Sequence, residues 1–305
     1  MEFLEPRAFV DSADAMGRRW TLDESLSYTR WLATHHYENF QVVSFLLPKR
    51  LHQDFYNVYS FCRWADDLGD EFDDTARARE LLRWWRGLTE RSFDGEAGHP
   101  VFAALQQTIA RHELPSAPFH DLITAFEQDQ VKTRYADWEE LYGYCRNSAN
   151  PVGRLVLYLC GYRDGERQKL SDATCTALQL ANFWQDVAVD WRKGRVYLPQ
   201  ELLARHGSGD ADIAAGRATE GFRAAMQEAC AEALRLFEEG LPLARMVDRR
   251  LSLDLELFSR GGMKILEKIR ARDYDVLSAR PRISKSERVA LLLRSLVRWA
   301  IRRAA

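Results

Sequence analysis

The chain has 305 residues, of which 46% are hydrophobic and 29% charged, a composition typical of globular proteins. Its formal net charge of −2 gives no reason to expect nucleic acid as a partner, although basic residues cluster near the C-terminus. Its five cysteines are widely spaced and form no Cys-x-x-Cys pair, which predicts reduced thiols in a cytoplasmic protein. No signal-peptide pattern is visible, and no apolar run reaches about eighteen residues, so no membrane-spanning helix is expected.

Helical periodicity recurs along the chain with short interruptions and almost no strand alternation. It predicts a long helix that opens at Pro48 and carries Asp66 and Asp70, and further helices over 22–36, 75–91, 100–112, 116–131, 138–162, 171–190, 215–239, 242–271 and 284–303. We expect Pro48 and Pro242 at first helical positions and Ser171 at an N-cap. The interruptions are too short to be interdomain linkers, so the sequence predicts one all-α domain over residues 1–305.

Two of these predicted helices each carry aspartates four residues apart, which places the carboxylates of each pair on one helical face. The first acidic motif consists of Asp66 and Asp70. The second acidic motif consists of Asn182, Asp186 and Asp190, and Gln179 extends its face. Because apolar residues surround both motifs, both helices are expected to be largely buried, and carboxylates on buried helices need partners.

Carboxylate oxygens are hard ligands that favour Mg²⁺, which takes one or two carboxylates together with phosphate oxygens of a substrate. Two acidic motifs that face each other would therefore bind a diphosphate through bridging magnesium ions. The alternative is that both motifs are ordinary solvated faces, since acidic side chains usually lie outside.

The motifs and their surroundings resemble the squalene and phytoene synthase family, the head-to-head prenyl synthases. The resemblance rests on four segments that occur in the family's order: Tyr59-Ser60-Phe61-Cys62-Arg63 before the first motif, Tyr144-Cys145, the second motif, and Gly194-Arg195-Val196-Tyr197-Leu198-Pro199 after it. It covers nearly the whole chain and implies the isoprenoid synthase fold, a single helical bundle around a central cavity.

The residues around the two motifs have expected roles in such a reaction. Arg63, three residues before Asp66 and on the same face, and Arg195 would donate charge-assisted hydrogen bonds to the diphosphate, with Arg154 a weaker candidate. The alternative for each arginine is a surface salt bridge. Asp67 points about 100° away from Asp66, so a supporting role is expected for it. The remaining candidates for substrate binding are Gln179, Asn182, Tyr197 and Tyr274.

Within the family, several segments resemble the bacterial hydroxysqualene synthases, among them Ala65 to Glu71 and Ser148 to Arg154. The resemblance implies conversion of presqualene diphosphate into hydroxysqualene and diphosphate by capture of water, without NADPH. It further implies functional partners, one enzyme that makes presqualene diphosphate and another that reduces hydroxysqualene.

Two departures from the family pattern bear on this reading. Tyr37-Glu38-Asn39 replaces a Ser-Lys-Ser-like run before Phe40, and a carboxylate there is a poor neighbour for a phosphate. After Tyr144-Cys145, where relatives carry small apolar residues, the chain offers the polar side chains of Asn147, Ser148 and Asn150. Amide and hydroxyl groups can hold an ordered water, so we expect these three residues to position the water that attacks the carbocation.

A carbocation intermediate is stabilised by aromatic faces in a site from which bulk water is excluded. The candidates by position are Phe40, Tyr59, Phe183 and Tyr274. For each of them, ordinary packing in the core is the alternative, because most aromatic residues of a globular protein pack there.

Leucines and arginines alternate through the C-terminal stretch from Lys285 to Arg303. A basic amphipathic helix of this kind can lie on an anionic membrane, which predicts peripheral contact with the inner membrane face. The alternative is a helix that packs on the protein and exposes its basic face to solvent.

Three alternatives to hydroxysqualene synthesis stay open. A squalene, presqualene diphosphate or phytoene synthase would condense two prenyl diphosphates, such as farnesyl diphosphate, on the same scaffold. A di-iron carboxylate bundle needs Glu-x-x-His on two core helices, and the chain offers only Glu96 to His99, in a loop. A catalytically inactive partner of a neighbouring synthase would have lost metal ligands that this chain retains.

Overall fold

The computed structural model describes residues 3–35, 48–72 and 74–301, with side chains described as far as residue 296. The prediction of an all-α protein is confirmed, because these ranges contain helices and a single isolated parallel bridge, between Arg134 and Val196, but no strand. Among the same residues, no helix is both long and apolar enough to cross a membrane.

The described chain divides into two compact units. The first unit comprises Met1–Val131 and Pro151–Arg163, and the second unit comprises Lys132–Asn150 and Asp164–Ala305. The organisation as one domain stays a prediction.

The α-helices are, in chain order, α1 (Pro6–Val10), α2 (Ala13–Gly17), α3 (Leu22–His35), α4 (His52–Asp70), α5 (Thr75–Phe93), α6 (Pro100–His112), α7 (Ala117–Asp129), α8 (Trp138–Ser148), α9 (Asn150–Leu159), α10 (Gly165–Arg192), α11 (Gln200–Arg205), α12 (Asp210–Ala214), α13 (Glu220–Gly240), α14 (Arg249–Ala271) and α15 (Lys285–Ile301). Short 3₁₀ helices cover Lys49–Leu51 and Leu241–Arg245. Helices are therefore present in each predicted range, with differences at some ends, but the predicted helices over 138–162 and 242–271 are each divided in two, and α1, α2, α11 and α12 were not predicted.

The predicted helix over 138–162 is wrong as one continuous element, since α8 ends at Ser148 and α9 begins at Asn150. Proline lacks an amide hydrogen and restricts the residue before it, so Pro151 accounts for the interruption. This break leaves Asn147, Ser148 and Asn150 around the junction of two helices.

The predicted N-cap at Ser171 is also wrong. Helix α10 begins two turns earlier, where the Asp164 side chain accepts a hydrogen bond from the amide of Arg167, and Ser171 is buried inside the helix. The expected first helical positions of Pro48 and Pro242 in α-helices are wrong too: Pro48 is the N-cap of the first 3₁₀ helix, Pro242 lies inside the second, and Asp248 caps α14. An aspartate side chain therefore caps the start of α10 and of α14.

Aromatic packing around α4 forms the core of the first unit. Phe61 and Trp64 are fully buried, and the Trp64 ring stacks on Trp85 with centroids 5.0 Å apart. The imidazole of His99 lies edge-on to Trp64 at 4.5 Å, and burial lowers the pKa of His99 to about 3. A neutral histidine inside an aromatic cluster is a core residue, which leaves Glu96 to His99 without the features of a di-iron ligand pair.

Helix α10 is the centre of the second unit, where α13 and α14 pack against it. Glycines allow the close approaches: a Cβ atom at Gly240 would lie 2.1 Å from Thr174 Oγ1, and one at Gly262 would lie 2.2 Å from the Phe237 ring. Close packing of this kind fixes the direction of α10, which carries the second acidic motif.

A buried carboxyl on α14 makes the stability of the protein depend on pH. Asp254 is 2% exposed, neither of its carboxyl oxygens has a hydrogen-bond partner among the described residues, and burial, together with Asp248, raises its pKa to about 8. Between about pH 4 and pH 8 the folded chain keeps this proton and the unfolded chain loses it. The free energy of unfolding should therefore fall by about 1.4 kcal/mol per pH unit because of this group.

Asp254→Asn is expected to remove that decline and to raise the thermal midpoint above that of the wild type at pH 8. Thermal unfolding of both proteins from pH 5 to pH 8 measures the effect, with exposed Glu238→Gln on α13 as the control that removes a carboxylate elsewhere. Parallel pH profiles for Asp254→Asn and wild type would contradict the expectation.

Candidate active site

Helix α4 separates the aspartates of its acidic segment between two faces. The Asp66 side chain is 50% exposed and Asp70 is exposed, whereas Asp67 is buried. The first acidic motif thus lies at the surface, whereas Asp67 on the neighbouring face points into the protein. The supporting role expected for Asp67 stays a prediction.

Asp67 holds Arg63 one turn earlier on the same helix. The guanidinium donates from Nε at 3.0 Å and from Nη2 at 2.6 Å to the two carboxylate oxygens, while Nη1 lies 4.0 Å from Asp66. Burial raises the pKa of Asp67 to about 7 in spite of the opposing charge of Arg63. Tyr59 lies one turn before Arg63, and burial raises the pKa of its hydroxyl. The pairing fixes the arginine beside the first acidic motif.

Asp67→Asn is expected to lower kcat/KM by about ten- to a hundredfold, because Arg63 loses a charge-assisted partner worth about 1.5–3 kcal/mol. Steady-state kinetics measure the change. Glu127→Gln is the matched control, since it breaks another two-point arginine–carboxylate pair of the first unit, with Arg86. Equal kcat/KM values for Asp67→Asn and Glu127→Gln would contradict a positioning role for Asp67.

The second acidic motif lies along one face of α10. Asn182 is exposed, and Asp186, Asp190 and the neighbouring Gln179 are partly exposed. Burial raises the pKa of Asp190 to about 7, and the carboxylate of Asp186 adds to the rise, which three cationic side chains oppose. The negative charges of Asp186 and Asp190 repel each other, and a bound cation would offset this repulsion.

Arg280 is a candidate site residue that the sequence analysis missed. Its Nε donates to Asp186 Oδ1, and its Nη2 donates to Oδ2 at 2.8 Å. The Gln185 side-chain amide donates to the Pro281 carbonyl at 2.5 Å, which holds this stretch of chain against α10. The one local signal was the Arg280-Pro281-Arg282 run soon after Tyr274, because the contact with Asp186 spans 94 residues.

Aromatic rings gather next to the second acidic motif. Phe183 and Tyr197 stack with centroids 3.7 Å apart, and Tyr144 lies 6.0 Å from Phe183 and 5.8 Å from Tyr197. Tyr135 stacks on Tyr197 at 5.6 Å. We call these four residues the aromatic cluster. The sequence analysis named Phe183 and Tyr197 but missed Tyr135 and Tyr144, although Tyr144 lies in a segment that carries the family resemblance.

The predicted water-positioning residues lie at the junction of α8 and α9. The Ser148 hydroxyl oxygen is buried and makes no hydrogen bond to any residue that the structure describes. Asn150 is buried, and its Oδ1 accepts from Thr176 Oγ1 on α10 at 2.9 Å. Asn147 is partly exposed. Ser148 follows Tyr144 by one helical turn, so it lies on the face of α8 that carries this member of the aromatic cluster.

The other predicted site residues have different surroundings. Arg195 is partly exposed, and its charge opposes the rise in the pKa of Asp190. Tyr274 has a left-handed backbone conformation with φ of 58°, which is uncommon for a tyrosine. Arg154 interacts electrostatically with Asp121. Phe40 and the Tyr37-Glu38-Asn39 departure lie outside the described residues.

The donor set of each acidic motif suits magnesium. Among the described residues, no group of three or more His, Cys, Asp or Glu side chains could hold a metal ion. Mg²⁺ does not require such a group, because it binds through one or two carboxylates and completes its shell with water and substrate phosphate. Each motif offers two carboxylates and only oxygen ligands, so the residues fit a magnesium ion that arrives with a diphosphate.

The chain is similar to several known proteins. The squalene/phytoene synthase family matches residues 33–287. The crystal structure of squalene synthase HpnC from Alicyclobacillus acidocaldarius is 46% identical, with a TM-score of 0.81 over 86% of this chain and 99% of that chain. Hydroxysqualene synthase from Rhodopseudomonas palustris is 34% identical over 253 residues, 82% of this chain and 85% of the relative. Phytoene synthase 2 from Solanum lycopersicum is 30% identical over 285 residues, 90% and 91% of the two chains.

These likenesses confirm the predicted isoprenoid synthase fold. The relatives are named for different products: one is a hydroxysqualene synthase, named for an alcohol, and the others are a squalene and a phytoene synthase, named for hydrocarbons. Family membership alone therefore does not choose between water capture and condensation.

Proposed function

Because this chain belongs to the squalene/phytoene synthase family, whose members process prenyl diphosphates, we propose that it converts presqualene diphosphate into hydroxysqualene and diphosphate in a magnesium-dependent reaction. Supporting this choice is the buried Ser148 hydroxyl without a partner among the described residues, one turn from the aromatic cluster. A further support is the 34% identity to a hydroxysqualene synthase.

The first step breaks the bond between carbon and the diphosphate oxygen, and the electron pair leaves with the diphosphate. Magnesium, when bound, offsets the negative charge that develops on the leaving group. The proposed ligands come from the two acidic motifs: Asp66, Asp70, Asn182, Asp186 and Asp190. Arg63, Arg195 and Arg280 would donate hydrogen bonds to diphosphate oxygens, an interaction that strengthens as charge accumulates there.

The resulting cation rearranges while aromatic faces stabilise its charge. Phe183 of the aromatic cluster would offer the face that does not stack on Tyr197, and Phe40, Tyr59 and Tyr274 are further candidates. The stacked geometry of Phe183 on Tyr197 keeps both rings in fixed orientations.

Water capture ends the reaction. We propose that Ser148, with Asn147 and Asn150, holds one water molecule whose oxygen forms the new bond to the cationic carbon. The proton released from that oxygen passes to the departed diphosphate or to solvent. A hydroxyl with no partner among the described residues has unused hydrogen-bonding capacity, which an ordered water can take up. Because water supplies the electron pair, no NADPH is needed.

Labelled water tests this proposal. In H₂¹⁸O with magnesium and presqualene diphosphate, the alcohol product should carry one ¹⁸O atom by mass spectrometry. A hydrocarbon product that forms only when NADPH is added would contradict water capture and favour squalene synthesis. On the proposed function, other enzymes supply presqualene diphosphate and reduce hydroxysqualene.

We further propose that α15 contacts an anionic membrane. Val289, Leu292 and Leu293 are 56%, 40% and 57% exposed, so the outer face of this helix is apolar, and the arginines at 288 and 294 are exposed beside it. Exposed apolar residues flanked by basic ones suit an anionic lipid surface, which would also accept an oily C30 product.

Flotation with phosphatidylglycerol vesicles is expected to carry the wild type upward and to leave a double Leu292→Ser, Leu293→Ser variant largely at the bottom. A chain ending at Ile283 should also stay at the bottom. Leu234→Ser is the control, because it removes an exposed leucine from α13. Equal flotation of the wild type and the double variant would contradict membrane contact through α15.

A further inference from the structure

The connection between α10 and α11 lies beside residues 132–136 of the second unit. The Val196 amide donates to the Thr133 carbonyl at 2.9 Å, and the Gln200 amide donates to the Tyr135 carbonyl at 2.9 Å. Arg134 and Val196 form the isolated parallel bridge. The backbone that leads out of the second acidic motif is therefore held by a separate stretch of chain.

The side chain of Arg134 makes four contacts, two of which are with the end of α10 and the turn that follows it. Its Nη1 donates to the Gly194 carbonyl at 2.6 Å and to the Thr133 carbonyl at 2.8 Å. Its Nε donates to Asp210 Oδ2 at 2.8 Å, and the guanidinium lies 5.4 Å above the Trp191 ring. One planar group thus joins the end of α10, the turn after it and the start of α12.

The turn that Arg134 fastens sets the direction of Arg195. Gly194 has φ of 77°, a left-handed conformation that glycine adopts without strain. The amide of Arg195 then donates to the Asp190 carbonyl at 2.9 Å. Arg195 therefore follows the last ligand of the second acidic motif through a turn with a single fixed conformation.

Resting on the proposed function, we propose that Arg134 is a positioning residue that holds the Gly194 turn so that Arg195 stays beside Asp190 and donates to the diphosphate. Arg134 itself touches the protein, and its effect on the ligand passes through Arg195. No reacting atom of the substrate needs to contact it.

The substitution Arg134→Lys distinguishes a role in positioning Arg195 from a general contribution of Arg134 to stability. Lysine keeps the positive charge but lacks the planar fork that reaches the Gly194 carbonyl and Asp210 together. Arg134→Lys is therefore expected to bind magnesium and inorganic diphosphate about tenfold more weakly than the wild type, by isothermal titration, while the thermal midpoint changes little.

A double-mutant cycle with Arg195→Gln shows whether the effect passes through Arg195. If it does, Arg134→Lys weakens binding in the wild-type background but adds almost nothing in the Arg195→Gln background. If Arg134 only stabilises the fold, Arg134→Lys would weaken binding equally in both backgrounds, and that result would overturn the inference.

Two further variants complete the experiment. Asp210→Asn removes one partner of Arg134 and should weaken binding in the same direction by a smaller factor, which keeps the inference testable if Arg134→Lys does not fold. Arg205→Lys is the matched control, since Arg205 makes surface ion pairs with Glu228 and Glu201. If Arg134→Lys binds magnesium and diphosphate as tightly as the wild type, the inference is overturned but the proposed function is not. If the wild type itself binds no magnesium and diphosphate, both the proposed function and the inference are contradicted.

Discussion

Asp186→Asn is expected to lower the rate of magnesium-dependent diphosphate release from presqualene diphosphate by about a hundred- to a thousandfold. The asparagine keeps the shape of the side chain but removes a charged ligand from the second acidic motif. Magnesium would then be held more weakly and would offset less of the charge that develops on the departing diphosphate, and losing electrostatic stabilisation of a developing oxyanion has about this effect. The half-saturating magnesium concentration should also rise. A coupled assay for released diphosphate, run across a magnesium titration, measures both quantities.

Glu166→Gln is the matched control for this prediction. It makes the same change of charge on α10, but at an exposed position in the first turn. Its activity should stay within about twofold of the wild type, since a first-turn carboxylate contributes roughly 0.3–1 kcal/mol to helix stability and nothing to the ligand. Unchanged magnesium dependence in Asp186→Asn would exclude Asp186 as a ligand and would leave its pairing with Arg280 as a purely structural contact.

Ser148→Ala is expected to reduce the alcohol fraction of the products by about tenfold relative to hydrocarbons. A hydrogen bond that holds the attacking water is worth about 1–1.5 kcal/mol, and its loss lets the cation end by loss of a proton or by rearrangement. Total diphosphate release should change little, because ionisation precedes water capture. Product analysis by mass spectrometry gives the ratio directly.

Ser92→Ala controls for the removal of a buried hydroxyl. The Ser92 oxygen is likewise buried without a hydrogen-bond partner among the described residues, but it lies on α5 in the first unit. Its product ratio should match that of the wild type. An unchanged alcohol fraction in Ser148→Ala would remove Ser148 from the proposed mechanism and leave Asn147 and Asn150 to be tested.

Local patterns in the sequence were sufficient for much of the candidate site. The four-residue spacing of Asp66 and Asp70 predicts a shared face, and the structure exposes both while it buries Asp67. Helical periodicity likewise found α4 and the acidic half of α10. Spacing along a helix depends only on helix geometry, so these features need no knowledge of the tertiary fold.

Contacts between distant segments were beyond such patterns. The pairing of Arg280 with Asp186 and the four-point contact of Arg134 depend on how loops return to α10. Burial of Asp254 on α14 was equally hidden, because the sequence gives an aspartate in an apolar helix but not the packing that covers it. The break before Asn150 does not depend on tertiary contacts, because Pro151 in the sequence already disfavours a continuous helix there.

The most direct test of the proposed function is incubation of the purified protein with magnesium and presqualene diphosphate, and separately with farnesyl diphosphate, in the absence of NADPH. Mass spectrometry of the products should find hydroxysqualene from presqualene diphosphate and no consumption of farnesyl diphosphate. Condensation of farnesyl diphosphate into a C30 product, with no alcohol from presqualene diphosphate, would contradict water capture and make the chain a condensing synthase.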